Sequence, residues 1–264
     1  HLDCCTMRPP CERLIHGHGS WLGAGRLVAH CLLIESSEGL VLVDSGIGLD
    51  DVRNPERRLG KGFLTAARPL LDPARTAAGR IEALGLSRRD VRHVVLTHLD
   101  LDHAGGLSDF PEAQVHVYRA EHRAAMSPNW KERERYRRSH FEHGPRWVLH
   151  DVDGERFLGL QAVHAIVEPE VLLVPTTGHS RGHAAVAVRA PEGWLLHCGD
   201  AYFSASEMAE PPSCPPGLGT FQRLVAMDDH ARRDNQRRLR ELGRGHPAVR
   251  LFCAHDHDEL QAFV

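Results

Sequence analysis

The chain has 264 residues, 42% of them hydrophobic and 25% charged, with a formal net charge of −3. That is ordinary for a soluble globular protein and long enough for one large α/β domain with a buried core. The charge balance offers no basic field that would make nucleic acid the default partner. No apolar run reaches the roughly 20 residues needed to cross a bilayer, so no membrane partner is expected.

Residues 1–25 read as an N-terminal loop carrying Cys4, Cys5 and Cys11 as reduced thiols. Apolar runs at 27–34 and 40–43, separated by Ser36-Ser37-Glu38-Gly39, predict an antiparallel hairpin that ends in Asp44-Ser45-Gly46. Residues 50–72 are polar and read as loop with a short helix. A helix is expected over 73–84, with Pro73 in its first turn and Gly85 just beyond its end. The run VRHVVL at 91–96 predicts a buried strand, 114–118 another, and 120–126 a short helix.

The charged and aromatic stretch 127–150 reads as an inserted segment lying over the surface, able to form a pocket wall or a solvated flap. Strands follow at 171–174, 184–188, 194–198 and 249–253, which puts Cys198 and Cys253, like Cys31 in the hairpin, in the core as small apolar residues. The Pro- and Gly-rich stretch 205–219 reads as loop. Residues 228–242 predict a helix capped by Asp228 or Asp229, its arginines 232, 233, 237, 238 and 240 forming a solvated face. The seven cysteines fit no zinc-ribbon spacing, and with no signal peptide visible a reducing cytoplasm is expected.

Histidine is the unusual count, at 20 residues, and it is the commonest metal ligand among side chains. The segment Thr97-His98-Leu99-Asp100-Leu101-Asp102-His103-Ala104-Gly105-Gly106 follows directly on the strand at 91–96. Alternate residues of an extended segment point the same way, so His98, Asp100 and Asp102 are expected to face one point. Three further strand ends carry His or Asp: Gly178-His179 with His183, Gly199-Asp200, and Ala254-His255 with His257. Each alone reads as a cap or a surface group. Four strand ends of one kind imply convergence on a single rim and a rigid metal site.

This pattern resembles the metallo-β-lactamase superfamily, whose members carry H-x-H-x-D-H, then G-H, a bridging Asp and a final His. The resemblance spans about residues 27 to 257, and TTGHSRGH followed by GDAYF is most similar to the lactonase and esterase branch. It implies a four-layer αββα sandwich of two mixed sheets in a single domain. It implies two divalent metal ions, most simply zinc, with iron or manganese as alternatives. His98, His179 and the residue at position 100 would hold the first ion, Asp102, His103 and His255 the second, and Asp200 would bridge them. Asp44 would support the site from behind, and His183 and His257 would be supporting or substrate-facing groups. The implied reaction is hydrolysis of a lactone, ester or thioester by a metal-bridging hydroxide, with Asp102 able to receive a proton. A small molecule is the expected partner, with a homodimer allowed.

Two positions depart from the pattern. Asp100 stands where the family has histidine; if it binds, two divalent ions, three carboxylates and a hydroxide sum to zero, against one positive charge with a neutral histidine. Phe203 stands where acyl-homoserine lactonases carry a tyrosine, and Tyr202 precedes it, on the opposite face of an extended segment. Rival readings are an iron redox enzyme of the same fold, a phosphotriester or phosphodiester hydrolase, and a non-enzymatic binding module.

Overall fold

The computed structural model describes residues 1–264. Leu2–Asp3 (β1), His30–Ser36 (β2), Gly39–Val43 (β3), Val91–Val95 (β4), Gln114–Tyr118 (β5) and Arg146–His150 (β6) form one sheet in that order. The first three strands pair antiparallel and β3 to β6 pair parallel. A short ribbon, Arg156–Phe157 (β7) with Leu160–Gln161 (β8), leads to the second sheet. That sheet holds Val163–Ile166 (β9), Val171–Pro175 (β10), Ala184–Ala190 (β11), Gly193–His197 (β12) and Val249–Phe252 (β13), ordered β13-β12-β11-β10-β9. Only the β12–β13 pair is parallel there, so both sheets are mixed.

The layering follows from strands that are apolar on both faces. On β3, Leu40 and Leu42 point to one side, where they meet Ala77, Ala78 and Ile81 of the helix Ala77–Ala83. Val41 and Val43 point to the other and pack with Val171, Leu173 and Val186 of the second sheet. Leu172 and Val174 continue the alternation outward, against Leu239 and Leu242 of the helix Asp229–Gly245. Side chains of period two, buried on both sides, thus give helix, sheet, sheet, helix.

Several expectations change in detail. The helix expected over 73–84 is split, because Thr76 accepts from the Gly79 amide as an N-cap and leaves Pro73–Arg75 as a separate turn. Short helices Leu49–Arg53, Pro55–Arg58 and Gly60–Ala66 occupy most of the stretch read as loop, and Pro216–Val225 begins inside the Pro-rich one. Asp228 caps the Asp229–Gly245 helix. Its arginines are not all solvated: Arg232 is buried and donates to Gln222 and Asp229, because it lies on the helix face toward the helix Pro216–Val225.

The stretch read as a surface insertion ends in β6, whose Trp147 and Leu149 pack on the core behind the first sheet. Its earlier part is clamped rather than draped: Glu132, Tyr136 and His140 are buried. Cys4 and Cys5, read as loop thiols, are fully buried, since β1 joins the first sheet and draws the N-terminal segment inward. No helix is long and apolar enough to cross a membrane.

Candidate metal centre

The loops after β4, β10, β12 and β13 meet at one rim. His98 and Asp100 lie on the extended run after β4, but the chain turns into a helical turn, Leu101–Ala104, which carries Asp102 and His103. The expected alternation therefore holds only as far as Asp100, and the helical turn swings Asp102 toward a second point. The ligand atoms of His98, Asp100, His179 and Asp200 lie within 4.8 Å of one another, as do those of Asp102, His103 and His255. We refer to these as the first and second clusters.

Asp200 faces both. Its Oδ1 lies 3.2 Å from His103 Nε2 and 3.1 Å from His255 Nε2, and its Oδ2 lies 3.3 Å from His179 Nε2 and 3.7 Å from His98 Nε2. The backbone behind it is anchored by His183, whose Nε2 accepts from the Asp200 amide at 2.9 Å while Nδ1 donates to the Thr176 carbonyl at 3.1 Å. Burial, and then His98 and His179 nearby, push the His183 imidazole well below its ordinary value, which suits a neutral acceptor. His183 is fully buried and so positions Asp200 instead of facing substrate.

The tautomers follow from the hydrogen bonds. Asp44, at φ 55°, accepts from the Thr97 amide at 2.8 Å, the Thr97 hydroxyl at 2.7 Å and His103 Nδ1 at 2.8 Å. A non-glycine residue in the left-handed region is strained, and here the strain aims one carboxylate at three donors. Burial would raise the Asp44 carboxyl, but the His103 imidazole overcomes this and holds it below its ordinary range. With its hydroxyl proton given to Asp44, Thr97 accepts from His98 Nδ1 at 3.0 Å. His255 Nδ1 donates to the Val28 carbonyl at 2.7 Å. In their neutral form all three rings therefore carry the proton on Nδ1 and turn the Nε2 lone pair inward.

The centre is under-satisfied as protein alone. His98 Nε2, His103 Nε2, Asp100 Oδ1 and Asp200 Oδ1 are buried atoms with no hydrogen-bond partner. Such groups are costly unless something else engages them. Burial disfavours charge on His103 and His255, yet Asp200, joined by Asp44 and Asp102 at His103 and by Asp102 at His255, holds both imidazoles above their ordinary value. Burial would likewise raise Asp200, but His255, His103, His179 and His98 keep it well below the carboxylate range. A field that favours positive charge on these rings also favours a metal cation between them. Two imidazoles and two carboxylates per cluster, with Asp200 shared, fit a divalent ion of the zinc, iron or manganese type.

Other groups fall outside. Tyr202 is fully buried and donates to Glu259 Oε1 at 3.0 Å, away from the clusters. Phe203 instead faces them, its ring centroid 4.8 Å from His255, 6.1 Å from His179 and 5.9 Å from Phe221. The two neighbouring side chains leave the bend after β12 in different directions, one toward Glu259 and the other toward His255 and His179. His257 opens the helix His257–Gln261 and belongs to neither cluster.

Burial pushes the Glu259 carboxyl up to about 7. A carboxyl raised in the folded state is stabilising relative to its ionised form below its unfolded value, and that stability is lost as pH rises through 7. Glu259→Gln should therefore gain on the parent by roughly 3 kcal/mol between pH 5 and pH 8. Melting curves of both proteins across that range check this, and a constant difference would contradict it.

Two residues that no local sequence signal marks complete the site. Glu121 is fully buried and accepts from the Leu99 amide, the Tyr136 hydroxyl, the Ser180 hydroxyl and the Gly182 amide, joining both loops of the first cluster. Arg135 NH1 donates to Asp100 Oδ2 at 2.7 Å. Against burial, which would raise it, Arg135 and then His98 hold the Asp100 carboxyl well below its ordinary range. Burial and then Arg135 push His179 down to about 4. Gly178, at φ 132°, lets the loop touch the helix Asp229–Gly245, where a Cβ would come within 2.3 Å of the Arg232 nitrogen.

Residues 24–255 match the family described as the Metallo-beta-lactamase superfamily. The chain is 45% identical over 239 residues to Probable metallo-hydrolase Rv2300c of Mycobacterium tuberculosis, an alignment covering 89% of this chain and 76% of that protein. It is 29% identical over 233 residues to the N-acyl homoserine lactonase AttM of Agrobacterium fabrum, covering 88% and 82%. Its fold matches a mutant of B. thuringiensis AiiA with N-decanoyl-L-homoserine bound at the active site, with a TM-score of 0.74 at 20% identity over 100% of this chain and 94% of that one. The fold, the convergent strand ends and the extent of the match agree: the chain belongs to the metallo-β-lactamase superfamily and is a hydrolase of that fold.

Proposed function

We propose that the chain hydrolyses a lactone, ester or thioester, a lactone foremost, at a centre of two divalent metal ions, most simply zinc. The observation that carries this reading is the pair of clusters sharing Asp200, with buried, unpartnered Nε2 atoms aimed into each. Bound there, the ions would acidify water and polarise a carbonyl oxygen. His98, His179, Asp100 and Asp200 would hold one, and Asp102, His103, His255 and Asp200 the other. Asp44, Thr97 and the Val28 carbonyl keep the imidazole protons on the far side, and His183 fixes the Asp200 backbone.

Asp102 is the residue we assign to take up a proton as the scissile bond breaks. It lies at the rim of the second cluster, with one oxygen 3.7 Å from His255 Nε2. Phe203 and the half-exposed Phe221 place apolar surface beside the centre, which suits a substrate with an apolar portion. The likeness to AttM favours a lactone. The burial of Tyr202 removes a phenol from the substrate side, so recognition of the carbonyl must differ from an enzyme that uses one.

The test is metal analysis of protein purified without added metal, joined to a panel of lactones, aryl esters, thioesters and phosphotriesters. About two ions per chain and lactone turnover that a chelator abolishes are expected. Stoichiometric metal with an inert panel would overturn the hydrolytic reading. Two irons with oxygen-dependent turnover would favour the redox alternative.

A further inference from the structure

Asp100 and Arg135 are a buried ion pair at the edge of the first cluster, their side chains 16% and 8% exposed. A buried guanidinium one hydrogen bond from a group of cation ligands repels the cation, so its presence there calls for a reason. Arg135 is also held in place. Its NH2 donates to the Val225 carbonyl at 2.8 Å, and it lies between two anchored residues. Glu132 is gripped by Arg181 through two bonds of 2.6 and 2.8 Å, and Tyr136 donates to Glu121 at 2.9 Å.

The reason lies in charge. Asp100, Asp102 and Asp200 place three carboxylates around the two clusters. Arg135 leaves two net negative charges, the number that a neutral ligand at position 100 and no arginine would give. Arg135 does not occupy the first cluster itself. Its bonds go to Asp100 and Val225, while His98 Nε2 stays buried and unpartnered, and Asp100 keeps its Oδ1 free of any hydrogen bond. The oxygen that Arg135 holds, Oδ2, also lies 3.0 Å from His179 Nε2 and 3.4 Å from His98 Nε2, so the guanidinium fixes the carboxylate with one oxygen among the imidazole ligands and leaves Oδ1 unengaged.

We propose that Asp100 and Arg135 form one charge-balanced unit that substitutes for a neutral ligand. Asp100 is an oxygen ligand of the first cluster, and Arg135 is the positioning residue that holds it and cancels its charge. The two clusters then have equal donor sets, two imidazoles and two carboxylates each. They take up two ions of one class, and the first cluster accepts manganese more readily than a three-imidazole site would. This rests on the reading of the centre as binuclear.

The test is a double-mutant cycle on the full chain, titrated with Zn²⁺ and separately with Mn²⁺ against a chromophoric chelator. The parent should bind two ions. Asp100→His alone leaves the guanidinium unpaired and facing the ion, and should weaken one of the two zinc ions by roughly 10–100-fold. Adding Arg135→Met should recover most of that loss for zinc, and should raise the preference for zinc over manganese above the parent's by about 10-fold or more. If metal-free melting shows that Asp100→His does not fold, Arg135→Lys, which keeps the charge but not the fork, is titrated instead and should weaken one ion while sparing the other.

A double variant that binds zinc no better than Asp100→His, or an Asp100→His or Arg135→Lys protein that binds both ions as the parent does, would overturn the proposal. A parent that binds two ions while the cycle shows no coupling defeats this unit alone. A parent that binds one ion overturns the proposal and the binuclear reading together, and a parent that binds none removes the metal centre itself.

Discussion

Asp200→Ala should release both metal ions and lower hydrolysis by at least the ~10²–10³-fold typical of losing one preorganised charge-stabilising group. Asp200 is the one residue with an oxygen toward each cluster, at 3.1 and 3.2 Å from His255 and His103 and at 3.3 Å from His179. Without it the second cluster keeps one carboxylate, Asp102, and the first keeps Asp100, already shared with Arg135. The field that favours a cation on His103 and His255 also has Asp200 as its largest attractive source. Asp200→Asn keeps the shape and the bond that the residue-200 backbone amide donates to His183, so it isolates the charge and should lose metal nearly as completely. Metal content by mass spectrometry and turnover of the best lactone give the answer. Either variant retaining two ions and activity would remove Asp200 from its bridging role.

Glu121→Ala should lower stability by on the order of 3–5 kcal/mol, a melting-temperature fall of about 10 °C for a chain of this size. The carboxylate is fully buried and accepts four hydrogen bonds, two from main-chain amides that have no other partner. Removing it leaves those donors unsatisfied in a dry interior, where each costs roughly 1–3 kcal/mol. The loss has a direction as well. Leu99 lies between His98 and Asp100, and Ser180 and Gly182 follow closely on His179, so the first cluster loosens. The second cluster, supported by Asp44 at His103 and by Val28 at His255, is spared. Titration should find one ion weakened and the other unchanged. Calorimetry showing a small change in melting, or equal weakening of both ions, would contradict this placement of Glu121.

Hydrophobic patterning at 40–43, 91–96 and 171–174 is enough to read strands, because both faces of those strands are buried and their neighbours change little in kind. The ligand residues were legible for a related reason. Histidines and aspartates crowded just past buried strands are costly to desolvate unless a cation joins them, and a strand end is a place the topology must bring to the rim. Adjacent residues also suggest that Tyr202 and Phe203 point apart, as they do, but the structure places them in a bend after β12 and not on an extended segment. Three things were decided only in three dimensions. The turn at Leu101 separates Asp102 and His103 from Asp100, and that depends on the local hydrogen bonds of residues 100–104. The edge strand Arg146–His150 carries arginine, tryptophan and histidine among its five residues, and pairing with β5 made it a strand where its own pattern was weak. Arg135 sits in a run of charges that reads as solvated surface, and only packing shows that one of them turns inward to Asp100. Local chemistry determines which residues can bind a cation and which segments can be strands. The partner that balances a buried charge comes from distant chain, and sequence spacing carries no record of that encounter.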